Sequence, residues 1–353
     1  MNEFLSLKFK TISFLSIILV VFLHSYNLIV NLGSDVISLR QGYSSVIQNF
    51  FSQGICRVAV PIFFAISGYL FFLKTQGSIN EFISKLQKRI KTILIPYLFW
   101  SVLWFVIFVV LQSIPELSVF FSQKLIADYS TVEKIKTVFL LPIPYQLWFL
   151  RDLMLLAILS PLLFYLLKSI KFGFLILIFL IWFFDINLII LSNESLFFFI
   201  LGSFISIHYD KILLIKFGKK AWLYFTVWIT IIIIKTLILH FQYEFGTLLT
   251  FLHKLSVIFG VLAIWSLYDR IVLRLKKTSD LKYMNYSFFI YIFHEPMLQF
   301  VKKALFYITN NSELMSLIIY ILAPVLVIFI CLGVGILLKR TIPKFYLFIC
   351  GGR

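Results

Sequence analysis

The chain has 353 residues, of which 61% are apolar and only 13% charged, and this leaves too little polar surface to cover a soluble globule. A net charge of +17 would point to nucleic acid in a soluble protein, but apolar stretches long enough to cross a bilayer recur along this chain. We therefore exclude a soluble fold and nucleic-acid binding, and we predict an all-α integral membrane protein.

Hydropathy and helix-breaking residues divide the chain into about ten predicted transmembrane helices, treated as one domain over residues 1–353. The first apolar stretch has no small-residue cleavage site behind it, so we interpret it as a retained helix. We expect no appended soluble domain, which leaves any chemistry to the helices. In chain order, the predicted helices lie near 11–31, 49–73, 92–113, 147–167, 173–191, 195–208, 221–241, 247–268, 287–305 and 315–338.

Lysine and arginine are concentrated in connections that would share a side with the N-terminus. These connections run over 74–91, 168–171, 210–220 and 269–282, and together with the two chain ends they hold 22 of the 32 basic residues. The positive-inside rule therefore predicts that both termini are cytoplasmic. The basic connections need no further role, because topology and contact with membrane lipid explain them.

Ionisable residues inside predicted helices are functional candidates, because placing such a side chain in the membrane costs several kcal/mol unless it is paired or hydrated. From the helical rise per residue, His24 and Arg57 lie at similar depth, and Arg151 and Asp152 lie near the outer start of the fourth helix. This predicts a polar cluster in the outer half of the bundle, around a water-filled cavity or a substrate site. The full set is His24, Arg57, Arg151, Asp152, Asp185, Lys235, His253, Lys254, His294 and Glu295.

Structural interpretations compete with the functional ones. His24 would equally suit a packing histidine bonded across a helix interface, and Asp185 and Lys235 lie closer to helix ends, where a structural role is favoured. The cysteines lack C-x-x-C spacing and a nearby histidine, so we predict no disulfide and no metal site. They are Cys56, Cys331 and Cys350.

Five segments resemble, in order, those of the membrane-bound acyltransferase-3 family, bacterial multi-span proteins that move acyl groups onto extracytoplasmic glycans. The resemblance is to the stand-alone form without an appended soluble domain. The segments are IILVVFLH ending at His24, RVAVPIFFAISGYLF from Arg57, KRIKTILIPYLFW from Lys88, YQLWFLRDLMLL from Tyr145 and NYSFFIYIFHEP from Asn285.

The resemblance implies that His24 is essential for transfer and that Arg89, at the cytoplasmic start of the third helix, is associated with acyl-CoA. The chain departs from the family pattern at two positions. Ser13 stands where the family usually has a basic residue, and Thr92 stands where a second arginine usually follows. A neighbouring lysine is expected to substitute at each.

The implied function is transfer of an acyl group, taken as acetyl, from cytoplasmic acyl-CoA to a hydroxyl of a cell-surface or lipid-linked glycan at the bacterial cytoplasmic membrane. His24 would act as general base or carry the acyl group. Arg57 and Arg151 would stabilise oxyanion charge, and Asp152 would orient an arginine or histidine. CoA phosphates are assigned to Lys88, Arg89 and Lys91, and the glycan to Tyr145, Trp148, His294 and Glu295.

Two other classes of protein compete with the enzyme. A transporter or flippase of lipid-linked sugar would also place charges inside a helix bundle, but it predicts paired helical repeats, and the sequence shows no clear internal symmetry. A ligand-sensing module would need an output domain, which the sequence does not indicate. An aromatic belt explains Tyr145 and Trp148 as well as sugar stacking does, and the oligomeric state is not indicated.

Overall fold

The computed structural model describes residues 3–32, 35–118, 121, 124–215, 217–241, 246–271 and 282–353. These residues are mostly helical, which confirms the predicted all-α class, and one antiparallel hairpin pairs β1 (Ile29–Leu32) with β2 (Asp35–Ser38). The helices are α1 (Glu3–His24), α2 (Tyr43–Gln48), α3 (Ala59–Phe72), α4 (Ile79–Arg89), α5 (Ile95–Ser113), α6 (Pro115–Ser118), α7 (Thr131–Phe139), α8 (Trp148–Ser169), α9 (Phe172–Phe183), α10 (Asn193–His208), α11 (Lys220–His240), α12 (Gly246–Ile271), α13 (Ser287–Ile308), α14 (Glu313–Thr341) and α15 (Pro343–Ile349).

Seven helical segments of the described chain are long and apolar enough to cross a membrane, so the protein is a multi-pass membrane protein. Two shorter apolar helices, α9 and α10, and the interrupted α13 match the other three predicted segments. How many segments cross the membrane, and in which direction, stays a prediction. Most of the predicted connection 269–282 lies outside the described residues. The long segments are Glu3–His24, Tyr43–Phe72, Ile79–Ser113, Tyr145–Ser169, Lys220–His240, Gly246–Arg270 and Glu313–Thr341.

The first helix corrects the sequence analysis, which placed its end near residue 31. α1 ends at His24, and the chain then turns into the hairpin. Ser25 Oγ donates to the Tyr320 carbonyl oxygen at 2.7 Å, and Asn27 Nδ2 donates to the Ser316 carbonyl oxygen at 3.0 Å. These bonds stabilise a chain reversal that apolar composition alone does not reveal. His24 is therefore the last residue of α1 and does not lie within a longer helix.

The second long segment is irregular in its middle. Between α2 and α3 the backbone forms a π-helical turn over Asn49–Gly54 and a 3₁₀ turn over Ile55–Val58. Such irregular turns leave backbone carbonyls without their usual helical donors. Lys235 Nζ donates to one of them, the carbonyl oxygen of Gln53, at 2.8 Å. This contact gives the buried Lys235 a structural role.

The described chain divides into two compact units. The first unit comprises Met1–Val20, Asn49–Arg89 and Asp152–Ser287, and the second unit comprises Val21–Gln48, Ile90–Arg151 and Phe288–Arg353. Each unit is therefore assembled from stretches that are far apart in sequence.

Glycines allow α3 and α10 to pack closely in the first unit. A Cβ atom on Gly68 would lie 2.0 Å from the Phe199 carbonyl oxygen, and one on Gly202 would lie 1.9 Å from the Ala65 carbonyl oxygen. Both obstacles are backbone atoms, so the helices would have to separate to admit a methyl group. The absence of a side chain therefore sets the distance between these helices.

We expect Gly202→Ala to destabilise the protein by roughly 1–3 kcal/mol, because overpacking forces backbone shifts. The control is Gly333→Ala, where a Cβ atom would meet nothing within 4 Å and alanine should be neutral or stabilising by up to about 1 kcal/mol. Thermal unfolding of both variants in the same detergent measures the difference. Equal changes in melting temperature would contradict the packing role.

Aromatic side chains form a layer in the second unit. Phe289 and Phe293 of α13 stack with ring centroids 5.3 Å apart, Trp100 lies 5.5 Å from Phe293, and Tyr346 lies 5.7 Å from Phe289. Trp100 Nε1 donates to the Ile349 carbonyl oxygen at 3.1 Å, which satisfies its polar atom. We call these four residues the aromatic layer.

Candidate active site

A cavity of about 710 Å³ lies in the second unit, with its wall drawn from the end of α1, the hairpin, α5, the chain around residues 124–145 and α13. Its size falls in the range of small-molecule sites, which run from about 300 to 1,000 Å³. The wall combines aromatic rings with titratable and amide groups. The polar side chains that the argument below uses are His24, Tyr145, Glu295, Gln299 and Lys302.

A break in α13 brings Glu295 to this cavity. Glu295 has extended backbone angles (φ −108°, ψ 138°) inside the helix, because the following residue, Pro296, lacks an N–H group and disfavours a helical residue before it. Gln146 Nε2 donates to the carbonyl oxygens of Ile292 at 3.1 Å and Glu295 at 3.0 Å. One side-chain amide thus satisfies two carbonyls at the break.

His24 and Glu295 face each other at the cavity wall. The distance from His24 Nδ1 to Glu295 Oε1 is 3.9 Å, which is close enough for charge interaction but too long for a hydrogen bond. The His24 side chain is 15% exposed and that of Glu295 is 5% exposed. Gln299 Nε2 donates to the same Glu295 oxygen at 3.0 Å. A residue of the same helix therefore holds the Glu295 carboxylate in place. The His24 imidazole is the more accessible of the two side chains.

Two further rings lie beside the His24 imidazole. The Tyr145 ring centroid is 5.6 Å away and the His294 centroid is 5.4 Å away, both edge to face. Tyr145 is 67% exposed, so its ring also offers a face to a ligand. The structure thus brings together four predicted site residues, namely His24, Tyr145, His294 and Glu295.

The hydrogen bonds of His294 define its tautomer. Its Nδ1 lies 2.7 Å from the Tyr291 carbonyl oxygen and 3.1 Å from the Ile290 carbonyl oxygen. Both oxygens accept, so Nδ1 must carry the proton in the neutral ring. His294 is fully buried, and its Nε2 has no hydrogen-bond partner among the described residues. The ring therefore keeps an acceptor nitrogen next to the His24–Glu295 pair.

Lys302 is a site residue that the sequence analysis missed. Its Nζ donates to the His24 carbonyl oxygen at 2.7 Å, and it is only 5% exposed. A cation at the C-terminal end of α1 satisfies a free carbonyl and favours the helix dipole. Glu295, Gln299 and Lys302 follow a spacing of four and then three residues, which places side chains on one face of a helix. This spacing in the sequence could have identified Lys302 as a neighbour of Glu295.

The rim of the cavity carries a paired charge. Lys124, which lines the cavity, bonds to Glu133 Oε2 at 3.0 Å. Hydrogen bonds to the Glu133 carboxylate lower its pKa to about 2. The bond from the Ser130 backbone N–H has the largest effect, and the bond from the Lys124 side chain has the next largest. Glu133 accordingly stays ionised above that pH.

Three other predicted site residues of the second unit do not line the cavity. Arg151 Nη1 donates to the Leu140 carbonyl oxygen at 2.8 Å, which ties α8 to the chain that lines the cavity. The Trp148 ring packs edge-on to Phe149 with centroids 6.5 Å apart. Lys91 is exposed in the π-helical turn Ile90–Leu94, which joins α4 to α5. Their assigned roles in catalysis and binding stay predictions.

Four predicted residues belong to the first unit. Arg57 Nε donates to Gln53 Oε1 at 2.9 Å beside the irregular turns. The buried Asp152 accepts from the Ser195 hydroxyl at 2.7 Å and from the Ser192 backbone N–H at 3.0 Å, so its carboxylate caps α10. The remaining two are the exposed Lys88 and the half-buried Arg89. These contacts give Asp152 a structural role, and the catalytic role assigned to it stays a prediction.

Within the described residues, no group of three or more histidine, cysteine, aspartate or glutamate side chains is arranged to hold a metal ion.

Comparison with known proteins defines the class. A family model described as an acyltransferase domain matches residues 12–338, so the chain belongs to the acyltransferase-3 family, as the five sequence segments indicated. It is 26% identical over 322 residues to the succinoglycan biosynthesis protein ExoH of Rhizobium meliloti (strain 1021), with 86% of this chain and 81% of that protein covered. No solved structure matches the chain. The protein is therefore a multi-pass membrane acyltransferase.

Proposed function

We propose that this acyltransferase moves an acyl group, taken as acetyl, from acyl-CoA to a hydroxyl of a cell-surface polysaccharide or its lipid-linked precursor, at the cytoplasmic membrane of a bacterium. Similarity to a succinoglycan biosynthesis protein supports a glycan acceptor. The observation that carries the chemical part is the His24 imidazole beside the Glu295 carboxylate, 3.9 Å apart, at the wall of a cavity of about 710 Å³.

His24 is assigned the role of general base. Its Nε2 takes the proton of the acceptor hydroxyl while the hydroxyl oxygen bonds to the thioester carbonyl carbon. The carbon–sulfur bond then breaks, the carbonyl re-forms, and the departing CoA thiolate takes the proton back from the imidazolium. Glu295 beside Nδ1 favours the tautomer that leaves Nε2 as the acceptor and stabilises the imidazolium in between.

Tyr145 is assigned to the acceptor, because its exposed ring next to His24 suits stacking against the apolar face of a sugar. His294, which the sequence analysis also assigned to the glycan, is fully buried, and we propose that it acts through its ring contact with His24. Arg151 and Arg57 are proposed to stabilise the negative charge that develops on the thioester carbonyl oxygen during transfer. CoA phosphates are assigned to Lys88, Arg89 and Lys91, because the planar guanidinium of arginine and the ammonium group of lysine both bind phosphate well.

The proposal is tested by incubating membranes that contain the protein with radiolabelled acetyl-CoA and a purified bacterial polysaccharide. We expect alkali-labile label in the polysaccharide, in proportion to the amount of protein, and none with membranes that lack it. Parallel reactions with labelled succinyl-CoA compare the acyl groups. Protein-dependent movement of lipid-linked sugar across vesicles without any label transfer would instead identify a flippase.

A further inference from the structure

A second cavity, of about 750 Å³, lies within the first unit, next to the connection between α3 and α4. We call it the first-unit pocket. Its apolar wall includes Phe72 and Phe164, whose rings stack with centroids 6.1 Å apart. Three lysines that are far apart in sequence also line it, namely Lys74 after α3, Lys168 in the last turn of α8 and Lys211 after α10. Aromatic surface and convergent cations therefore meet in one cavity.

The charge of this pocket is positive. Asp210 is the only carboxylate among its lining residues in the described chain, against three lysines. Within the described residues, no carboxylate oxygen lies within ion-pair distance of Lys74, Lys168 or Lys211. By contrast, the nearby Lys85 is paired with Glu81 at 2.9 Å. The three lysines thus outnumber the single carboxylate of the pocket.

The connection that carries Lys74 is held in place. A Cβ atom on Gly77, which has a φ of +98°, would lie 2.2 Å from Phe164, and Tyr165 donates its hydroxyl to the Gly77 carbonyl oxygen at 3.1 Å. Lys85 also donates to Thr75 Oγ1. Lys74 is therefore presented on a preorganised connection, which lowers the entropic cost of binding a ligand.

We propose that the first-unit pocket binds a phosphate-bearing ligand, with Lys74, Lys168 and Lys211 as its phosphate contacts. The proposal deepens the proposed function and rests on it, because the CoA part of the donor carries several phosphates next to an aromatic base. The three lysines of the pocket would add to the phosphate contacts assigned above to Lys88, Arg89 and Lys91. The headgroup of an anionic lipid offers the same phosphate chemistry. The charge pattern of the sequence predicts all three lysines on the cytoplasmic side, where both ligands are available.

The test measures binding of coenzyme A to the full chain in nanodiscs of phosphatidylcholine, by titration calorimetry. Coenzyme A carries no acyl group, so no turnover occurs during the titration. We expect combined Lys74→Gln, Lys168→Gln and Lys211→Gln substitutions to weaken binding at least roughly fivefold, as three exposed charge contacts are lost. Replacing the same lysines by arginine should retain binding. Pantetheine, which has no phosphate, should not distinguish the variants.

The matched control loses the same charge from the second unit, by combined Lys134→Gln, Lys136→Gln and Lys344→Gln substitutions, and should bind CoA like the parent. A second arm measures retention of phosphatidylglycerol by native mass spectrometry. If only the lipid distinguishes the two triple variants, the phosphate source is the headgroup. If neither ligand does, the proposal is wrong. Label transfer to glycan is scored separately, so failure of the proposed function would be seen independently.

Discussion

Replacing His24 by alanine is expected to lower the rate of acyl transfer by roughly 10²–10⁴-fold, the usual contribution of a positioned general base. The residue ends α1, is the more exposed partner of Glu295 and lies at the cavity wall. Without the imidazole, the acceptor hydroxyl has no group of suitable basicity to take its proton. Initial rates of label transfer from acetyl-CoA to polysaccharide measure the effect.

His240→Ala is the control, because this half-buried histidine closes α11 in the first unit, outside the cavity. It should retain the parent rate. Samples without acceptor that are rapidly denatured at neutral pH separate the base from an acyl carrier, since label bound to the parent protein but absent from His24→Ala would indicate an acyl-imidazole. Equal transfer by the parent and His24→Ala would remove His24 from the mechanism.

Glu295→Gln is expected to reduce kcat by roughly 10²-fold or more with little change in KM, because the amide cannot stabilise the imidazolium that forms on His24. Glutamine keeps the size of the side chain, and it can still accept from Gln299. A structural defect would instead lower the amount of folded protein and leave kcat per folded molecule unchanged. Saturation kinetics on purified protein, normalised to the folded fraction, distinguish the two.

Glu116→Gln serves as the matched control, because Glu116 is an exposed residue of the short α6. Its kcat and KM should equal those of the parent. Glu295→Asp keeps the charge on a shorter side chain and should recover part of the lost rate. If Glu295→Gln raised KM and left kcat intact, Glu295 would bind the acceptor without acting through His24.

The sequence predicted the helices well and their ends less well. Hydropathy finds apolar runs, and each of the ten predicted runs contains a helix. Hydropathy cannot detect where a helix ends because side-chain hydrogen bonds hold the following residues in another conformation. Ser25 and Asn27 make such bonds just after α1. Nor does hydropathy show the irregular turns at Asn49–Val58, because these residues lie inside the longer segment Tyr43–Phe72, whose mean hydropathy is that of a membrane helix.

The candidate site was predicted in part, for a related reason. Counting helical rise placed Arg57 at the depth of His24, but the count assumes regular helices, and the structure places Arg57 in the first unit among irregular turns. Histidine and glutamate stand out inside apolar runs, so His24 and Glu295 were found. Gln146 and Lys302 did not stand out, since an amide or a lysine near a helix end is ordinary at an interface.

The aromatic layer has a consequence for permeability. A polar cavity that reaches Glu295 shortens the apolar path that separates the two sides of a membrane, and protons or small ions cross a short path more readily. Phe289 and Phe293 precede Glu295 on α13, and with Trp100 and Tyr346 they fill the second unit next to the break with rings. We expect the layer to close the apolar path beyond the break, so that loosening it would raise the permeability of the membrane to ions.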